Sequence, residues 1–235
     1  MTRSKERKGE RLRAIVAELE SFANPANVVG MARYGIRAEN ALGISAPQLR
    51  GMAKKIGHDH ALALDLWASG IHEARNLAGL VDDPVEVTEA QLERWVKDFD
   101  SWDICDGVCG NLFDKTPFAY EKAVAWSARP EEFVKRAGFV LMAALAVHDK
   151  KAPDGRFRKF LPLIERESAD ERNFVKKAVN WALRQIGKRN RALHRDAIAA
   201  AKRIRKIDSR SARWIAADAL RELESDAVRE RVNKR

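Results

Sequence analysis

The sequence predicts an all-α protein: a curved superhelical solenoid of stacked helical hairpins that runs through residues 1–235 as a single domain. Three observations predict it. Apolar residues recur at spacings of three and four, and no alternating or β-branched run lasts long enough to nominate a strand. Prolines fall where one amphipathic window meets the next. Three segments also resemble one another at separations near 40 residues.

The prolines set the punctuation. Pro25, Pro47, Pro84, Pro117, Pro130, Pro153 and Pro162 lie at window boundaries, where a missing N–H and a fixed φ do no harm. "DDP" at 82–84, "ARP" at 128–130 and "KKAPDG" at 150–155 read as turns between helices, and no linker divides the chain. "FVKRAGFVLMAAL" at 133–145 and "FVKKAVNWALRQI" at 174–186 open alike, 41 residues apart. "ARWIAADALREL" at 212–223 repeats the Ala-Leu-Arg of 182–184 a further 37 residues on. Two helices in about 40 residues is the period of HEAT-like repeats, in which each hairpin buries its apolar face only against its neighbours. The pattern fades over residues 1–70, so a compact helical bundle stays open as the alternative.

Charge is unevenly placed. Of the 44 Lys and Arg and 34 Asp and Glu, residues 156–235 hold 23 bases against 11 acids, a net of +12, and residues 1–155 are left with −2. Residues 73–106 carry ten acids and three bases. A basic surface of this size attracts polyanions by releasing their counterions, and nucleic acid is the commonest such partner. No stretch is apolar enough to span a membrane, and "MTRSKERKGERLR" lacks the apolar segment of a secretory signal, so a cytoplasmic, nucleoid-associated protein is expected. Cys105 and Cys109 are the only cysteines; their i,i+4 spacing suits packing, and no metal cluster or cofactor motif is expected.

One window holds an anomaly. In "SWDICDG", residues 101–107, Ser101 or Asp100 is placed to cap a helix whose apolar stripe is Trp102, Cys105, Cys109, Leu112 and Phe113. Asp106 falls inside that stripe, four residues after Trp102. A carboxylate there needs a partner or a task. Asp103 points elsewhere, and its place in the first turn is explained by the helix dipole. Further along, Val175, Ala178, Val179, Ala182, Leu183 and Ile186 form a complete core face without Trp181. Trp181 instead stands in line with Lys177, Arg184 and Lys188, where an indole suits stacking on a base or sugar while the cations hold phosphates. Arg136 occupies the repeat-equivalent position of Lys177 on a helix apolar nearly all round, placed to meet either a phosphate or Asp106. Trp67, Trp95, Trp126 and Trp214 read as packing residues, and "HDH" at 58–60 as a helix boundary rather than a metal site.

These residues resemble the HEAT-like-repeat alkylpurine DNA glycosylases of the DNA alkylation repair family. "MARY" at 31–34 with "LGISAPQLR" at 42–50, "SWDICD", "VKRA" and "KAVNWALR" are similar to four family elements in the right order, over most of the chain. Ser101 stands where a second tryptophan is frequent, and "GIRAENA" replaces the usual wording after Tyr34. The resemblance implies Asp106 as the catalytic carboxylate, Trp102 and Trp181 as indoles flanking the damaged nucleotide, Arg136 as the companion arginine, and Tyr34 as a DNA-backbone contact beside the cations. It implies excision of N3- or N7-alkylated purines from double-stranded DNA without metal or cofactor, by a monomer with no membrane and no obligate protein partner. Two other classes are compatible with the same residues: a repeat protein that binds branched or bent DNA without catalysis, and a protein-interaction scaffold.

Overall fold

A computed structural model describes residues 2–234, with side chains for residues 9–234. The first eight side chains of the basic amino-terminal stretch lie outside the described residues. Among the described residues the chain is helical throughout, without strands, and no helix is long and apolar enough to cross a membrane. The helices cluster into two units, residues 1–116 and 117–235, which are described separately.

The first unit holds α1 (Thr2–Ser21), α2 (Pro25–Arg33), α3 (Ala46–Ile56), α4 (His60–Ala68), α5 (His72–Val81), α6 (Glu89–Trp95) and α7 (Trp102–Asn111). Local chemistry sets their ends. Asn24 accepts the amides of Ala26 and Asn27, and Pro25 opens α2. Ser45 and Gln48 form a capping box around Pro47. In "HDH", Asp59 caps α4 through the Leu62 amide while His58 and His60 reach Asp82, so this trio is a helix boundary, as expected. The core of the unit is aromatic: Trp67 and Trp95 stack with centroids 4.0 Å apart, and Phe99 and Phe113 close around them. Burial of each such side chain contributes about 1.5–3 kcal/mol.

The second unit holds α8 (Ala119–Ser127), α9 (Glu132–His148), α10 (Asp154–Arg158), α11 (Leu161–Glu167), α12 (Asn173–Gly187), α13 (Arg191–Ile204), α14 (Arg210–Leu223) and α15 (Asp226–Asn233). Helix α9 is buried on almost every side, packed between α8 and α12, and α12 in turn packs on α14. These three helices, α9, α12 and α14, are the repeating segments of the sequence. Gly138 lets α8 approach closely, since a Cβ there would stand 2.5 Å from the amide nitrogen of Ser127.

Stacking leaves a periodic signature in the polar contacts. In the second unit Arg158–Asp196, Asn180–Asp218, Arg184–Glu222, Arg203–Glu165 and Ser209–Glu171 all join residues 38 apart. In the first, Trp67–Asp98, His72–Asp103 and the Leu42 amide with Glu73 all span 31.

Candidate functional site

Helix α7 begins at Ser101, whose backbone is extended, φ −147°. The expectation that Ser101 or Asp100 caps the helix needs correction: Ser101 sits at the cap position, but its hydroxyl donates to Asp103 Oδ1 at 2.6 Å and caps no amide. Asp103 also faces the buried His72, Nε2 to Oδ2 2.6 Å. Burial alone would raise the Asp103 pKa, but the bond and charge of His72, with Ser101, hold it below the usual carboxylate value. Burial likewise opposes protonation of His72, and Asp103, Glu73 and Asp100 together outweigh it and raise its pKa. Asp103 therefore has a specific partner beyond the helix dipole.

Asp106 is placed differently from the expectation. The buried stripe of α7 is Ile104, Cys105, Val108 and Cys109, followed by Leu112 and Phe113. Asp106 lies beside that stripe on a half-buried flank, with Trp102 one turn before it. Its charge reaches inward: burial first, then Cys105, then Asp106 and Asp114 push the Cys109 thiol well up. Trp102 is not core filler either. It is half-buried, and its Nε1–H donates to the carbonyl of Tyr34 at 3.0 Å. The Tyr34 side chain itself is 73% exposed.

The chain after Tyr34 is held by Glu73, which is buried and accepts the amides of Leu42, Gly43 and Ile44. Gly43 adopts φ +78°, and a Cβ there would stand 2.3 Å from the Asn24 carbonyl, so only glycine fits. Adjacent residues of α5 therefore clamp two parts of the site: His72 holds α7 through Asp103, and Glu73 holds the 42–44 loop. Between α3, α5 and α7 lies a cleft of about 210 Å³ lined by Leu49, Arg50, Asn76, Asp103, Gly107 and Asn111 among others.

In the second unit the predicted core face of α12 is buried in full, and Trp181 stands outside it, half-buried. The line of cations beside Trp181 is altered by α14. Arg184 and Lys188 both bind Glu222, Lys188 at 2.5 Å, and Arg184 also lies 3.6 Å from Asp218. Burial would raise the Glu222 pKa, but the two cations lower it. Lys177 remains exposed. Lys188 and Arg189 also border a basic cleft of about 530 Å³ with Lys150 and Arg231.

Arg136 is not placed like Lys177, despite its equivalent position in the repeat. It is 5% exposed, and its Nη1 donates to the Phe174 carbonyl at 2.6 Å, tying α9 to the start of α12. The other tryptophans divide as well. Trp67, Trp95 and Trp126 are buried as expected, whereas Trp214 is 41% exposed with Lys176 Nζ 5.2 Å from its ring centroid. Asp106, Trp102 and Tyr34 belong to the first unit; Arg136, Trp181 and the cations belong to the second. Among the described residues no three His, Cys, Asp or Glu side chains are grouped to hold a metal ion.

The profile of the DNA alkylation repair enzymes matches residues 15–223. The chain belongs to the DNA alkylation repair enzyme family. Among solved structures, it shares its fold with a protein described as one of "a new family of proteins related to the HEAT-like repeat DNA glycosylases with affinity for branched DNA structures". That likeness has a TM-score of 0.78 at 21% identity, over 94% of this chain and 95% of the other. No curated protein matches the chain.

In this member of the DNA alkylation repair family, sequence reasoning overlooked His72, Glu73 and Trp214. A histidine and a glutamate side by side in the first turn of a helix, "HEARNLAGLV", whose second half is apolar were the available signal for the first two. For Trp214 no comparable signal stood in the sequence, since the positions aligned with it in the repeat are exposed at Lys177 and buried at Arg136.

Proposed function

We propose that the protein is a DNA repair glycosylase that hydrolyses the N-glycosidic bond of N3- or N7-alkylated purines in duplex DNA. The observation that carries this reading is Asp106, held on the half-buried flank of α7 one turn from an indole that is itself anchored to the Tyr34 carbonyl. An alkylated purine is already cationic. When the bond to C1′ breaks, its electron pair passes to the base and cancels that charge, while positive charge develops on the sugar. Asp106 stabilises the oxocarbenium-like sugar and orients a water, which adds to C1′ and passes its proton through the Asp106 carboxylate to bulk water. The leaving group needs no electrophilic metal. In the first unit Trp102 offers an electron-rich face to the cationic nucleotide and Tyr34 contacts the backbone; in the second, Trp181 offers a stacking face, Lys177 contacts the backbone, and Arg136 holds α9 to the start of α12. Arg184 and Lys188 contribute to backbone binding only to the extent that Glu222 leaves them uncompensated.

The experiment is release of 7-methylguanine and 3-methyladenine from methylated duplex DNA, with EDTA present, by the wild type and by Asp106→Asn. Release by the wild type alone supports the reading; equal release by both removes Asp106 from the chemistry. The solved relative, described by its affinity for branched DNA, favours a second reading: binding of branched DNA without base release. Absence of base release together with tighter binding of a four-way junction than of a linear duplex selects that one.

A further inference from the structure

Trp214 is unlike the other residues around it. It lies in the second turn of α14 beside the buried Ile215 and Ala216, yet 41% of its surface is exposed, an unusual cost for the largest apolar side chain. Lys176 of α12 holds its Nζ over the ring, 5.2 Å from the centroid. Lys177 and Arg210 are exposed nearby on α12 and α14, and Ala217, three residues along α14, is exposed and presents only a methyl group beside the indole. The contacts Asn180–Asp218 and Arg184–Glu222 set the register of the two helices. Both pairs join residues 38 apart, and that offset sets Trp214 opposite Lys176, in keeping with the cation–π contact, with the exposed Lys177 the next residue along α12.

The geometry points to Trp214 as a stacking platform for an unpaired nucleobase of DNA, with Lys177 and Arg210 taking the flanking phosphates. Charge chooses the occupant. An aromatic plate flanked by cations matches a strand that alternates flat bases with anionic phosphates; Glu171 lies close enough to Lys176 and Arg210 to feel both charges, but the exposed Lys177 adds to them, and this surplus suits phosphates better than an apolar protein helix. Lys176 serves two ends: it occupies one ring face by a cation–π contact and adds positive charge near the strand. The inference rests on the DNA-binding reading above and extends it. Single-stranded DNA next to the duplex is a recognised feature, read by a residue that takes no part in base release.

The test compares the binding of two DNAs, a blunt duplex and the same duplex carrying a six-nucleotide single-stranded overhang, by wild type, Trp214→Ala and Trp214→Phe. The wild type is expected to prefer the overhang, Trp214→Ala to lose about tenfold in overhang affinity with blunt-duplex binding unchanged, and Trp214→Phe to keep most of it. A second readout does not depend on the alanine variant folding: an overhang strand should quench wild-type tryptophan fluorescence more than that of Trp214→Phe. Equal overhang binding and equal quenching, with duplex binding intact, would overturn the role of Trp214 and leave the DNA-binding reading standing. Failure of the wild type to bind either DNA at low salt would remove both and assign the indole to a protein partner.

Discussion

Trp102 donates its indole N–H to the carbonyl of Tyr34 at 3.0 Å, across 68 residues of sequence. The tryptophan that the sequence nominated for the substrate is thereby fixed by a backbone atom of another nominated residue, whose own ring points into solvent. The two roles of Tyr34 separate by mutation. Tyr34→Ala keeps the carbonyl and removes the ring, so DNA affinity should fall a few-fold while thermal unfolding is unchanged. Trp102→Phe keeps an aromatic face but loses the donor, and should lower base release more than DNA affinity. If Tyr34→Ala binds DNA as the wild type does, the ring has no backbone role.

Asp106→Asn preserves volume and removes the charge. Loss of a fixed electrostatic stabiliser should reduce single-turnover base release by on the order of 10²–10³. DNA affinity of this variant should stay the same or rise, because one negative charge near the backbone is gone. A rate within threefold of wild type would remove the assigned role.

Glu222 divides the cations of α12 into two kinds. Lys177 is exposed, and Lys177→Ala should reduce the slope of log K against log salt by about one. Arg184 is bound to Glu222 and Asp218, so Arg184→Ala should leave that slope nearly unchanged and lower the unfolding temperature instead. Glu222→Gln should steepen the slope by about one by freeing Lys188, since Arg184 keeps Asp218. If Arg184→Ala flattens the slope as much as Lys177→Ala does, the ion pairs seen here open when DNA binds.

The His72–Asp103 pair makes stability depend on pH in two directions. His72 has its folded pKa raised above 6.5, so its contribution is complete below 6.5 and is lost as pH rises through the higher folded value. Asp103 has its folded pKa lowered below 3.8, so its contribution is complete above 3.8 and is lost as pH falls through the lower folded value. The pair therefore supports the fold most between these two ordinary values. Urea unfolding at pH 5.5 and pH 8.5 should show a loss at the higher pH for the wild type, and a smaller one for Asp103→Asn. Parallel profiles for the two proteins would show that the pair does not control this dependence.

Gly138 marks the tightest approach of α8 and α9. Alanine has the better helix propensity, yet its Cβ would meet the Ser127 amide and the Ala123 carbonyl, backbone that cannot step aside. Gly138→Ala should destabilise by about 1–3 kcal/mol, measured by denaturant midpoint at unchanged m. A stabilised variant would mean that the two helices slide apart at little cost.

Much of the local structure was legible because it follows from spacing. All six residues expected on the core face of α12 are buried, with Asn180 and Gly187 beside them, the prolines marked helix starts and turns, and the cysteines are buried thiols. Asp106 was misplaced by a small angle: its distance from Trp102 suggested the core stripe, but Ile104 and Val108 shift the buried side of α7 away from it. Arg136 and Lys177 share a repeat position yet differ in burial, because α9 is enclosed by α8 and α12 while the outward edge of α12 is open.

What the sequence by itself determined is the set of helices, the face each one buries and the residue types available for chemistry, since these depend on periodicity and capping within a few turns. Tertiary structure alone decided who meets whom: His72 with Asp103, Trp102 with Tyr34, and Glu222 with the two cations that the sequence had assigned to DNA. Those partners lie 31 to 68 residues apart, at distances set by how the hairpins stack, and no local pattern encodes which side chain of the next repeat will arrive opposite.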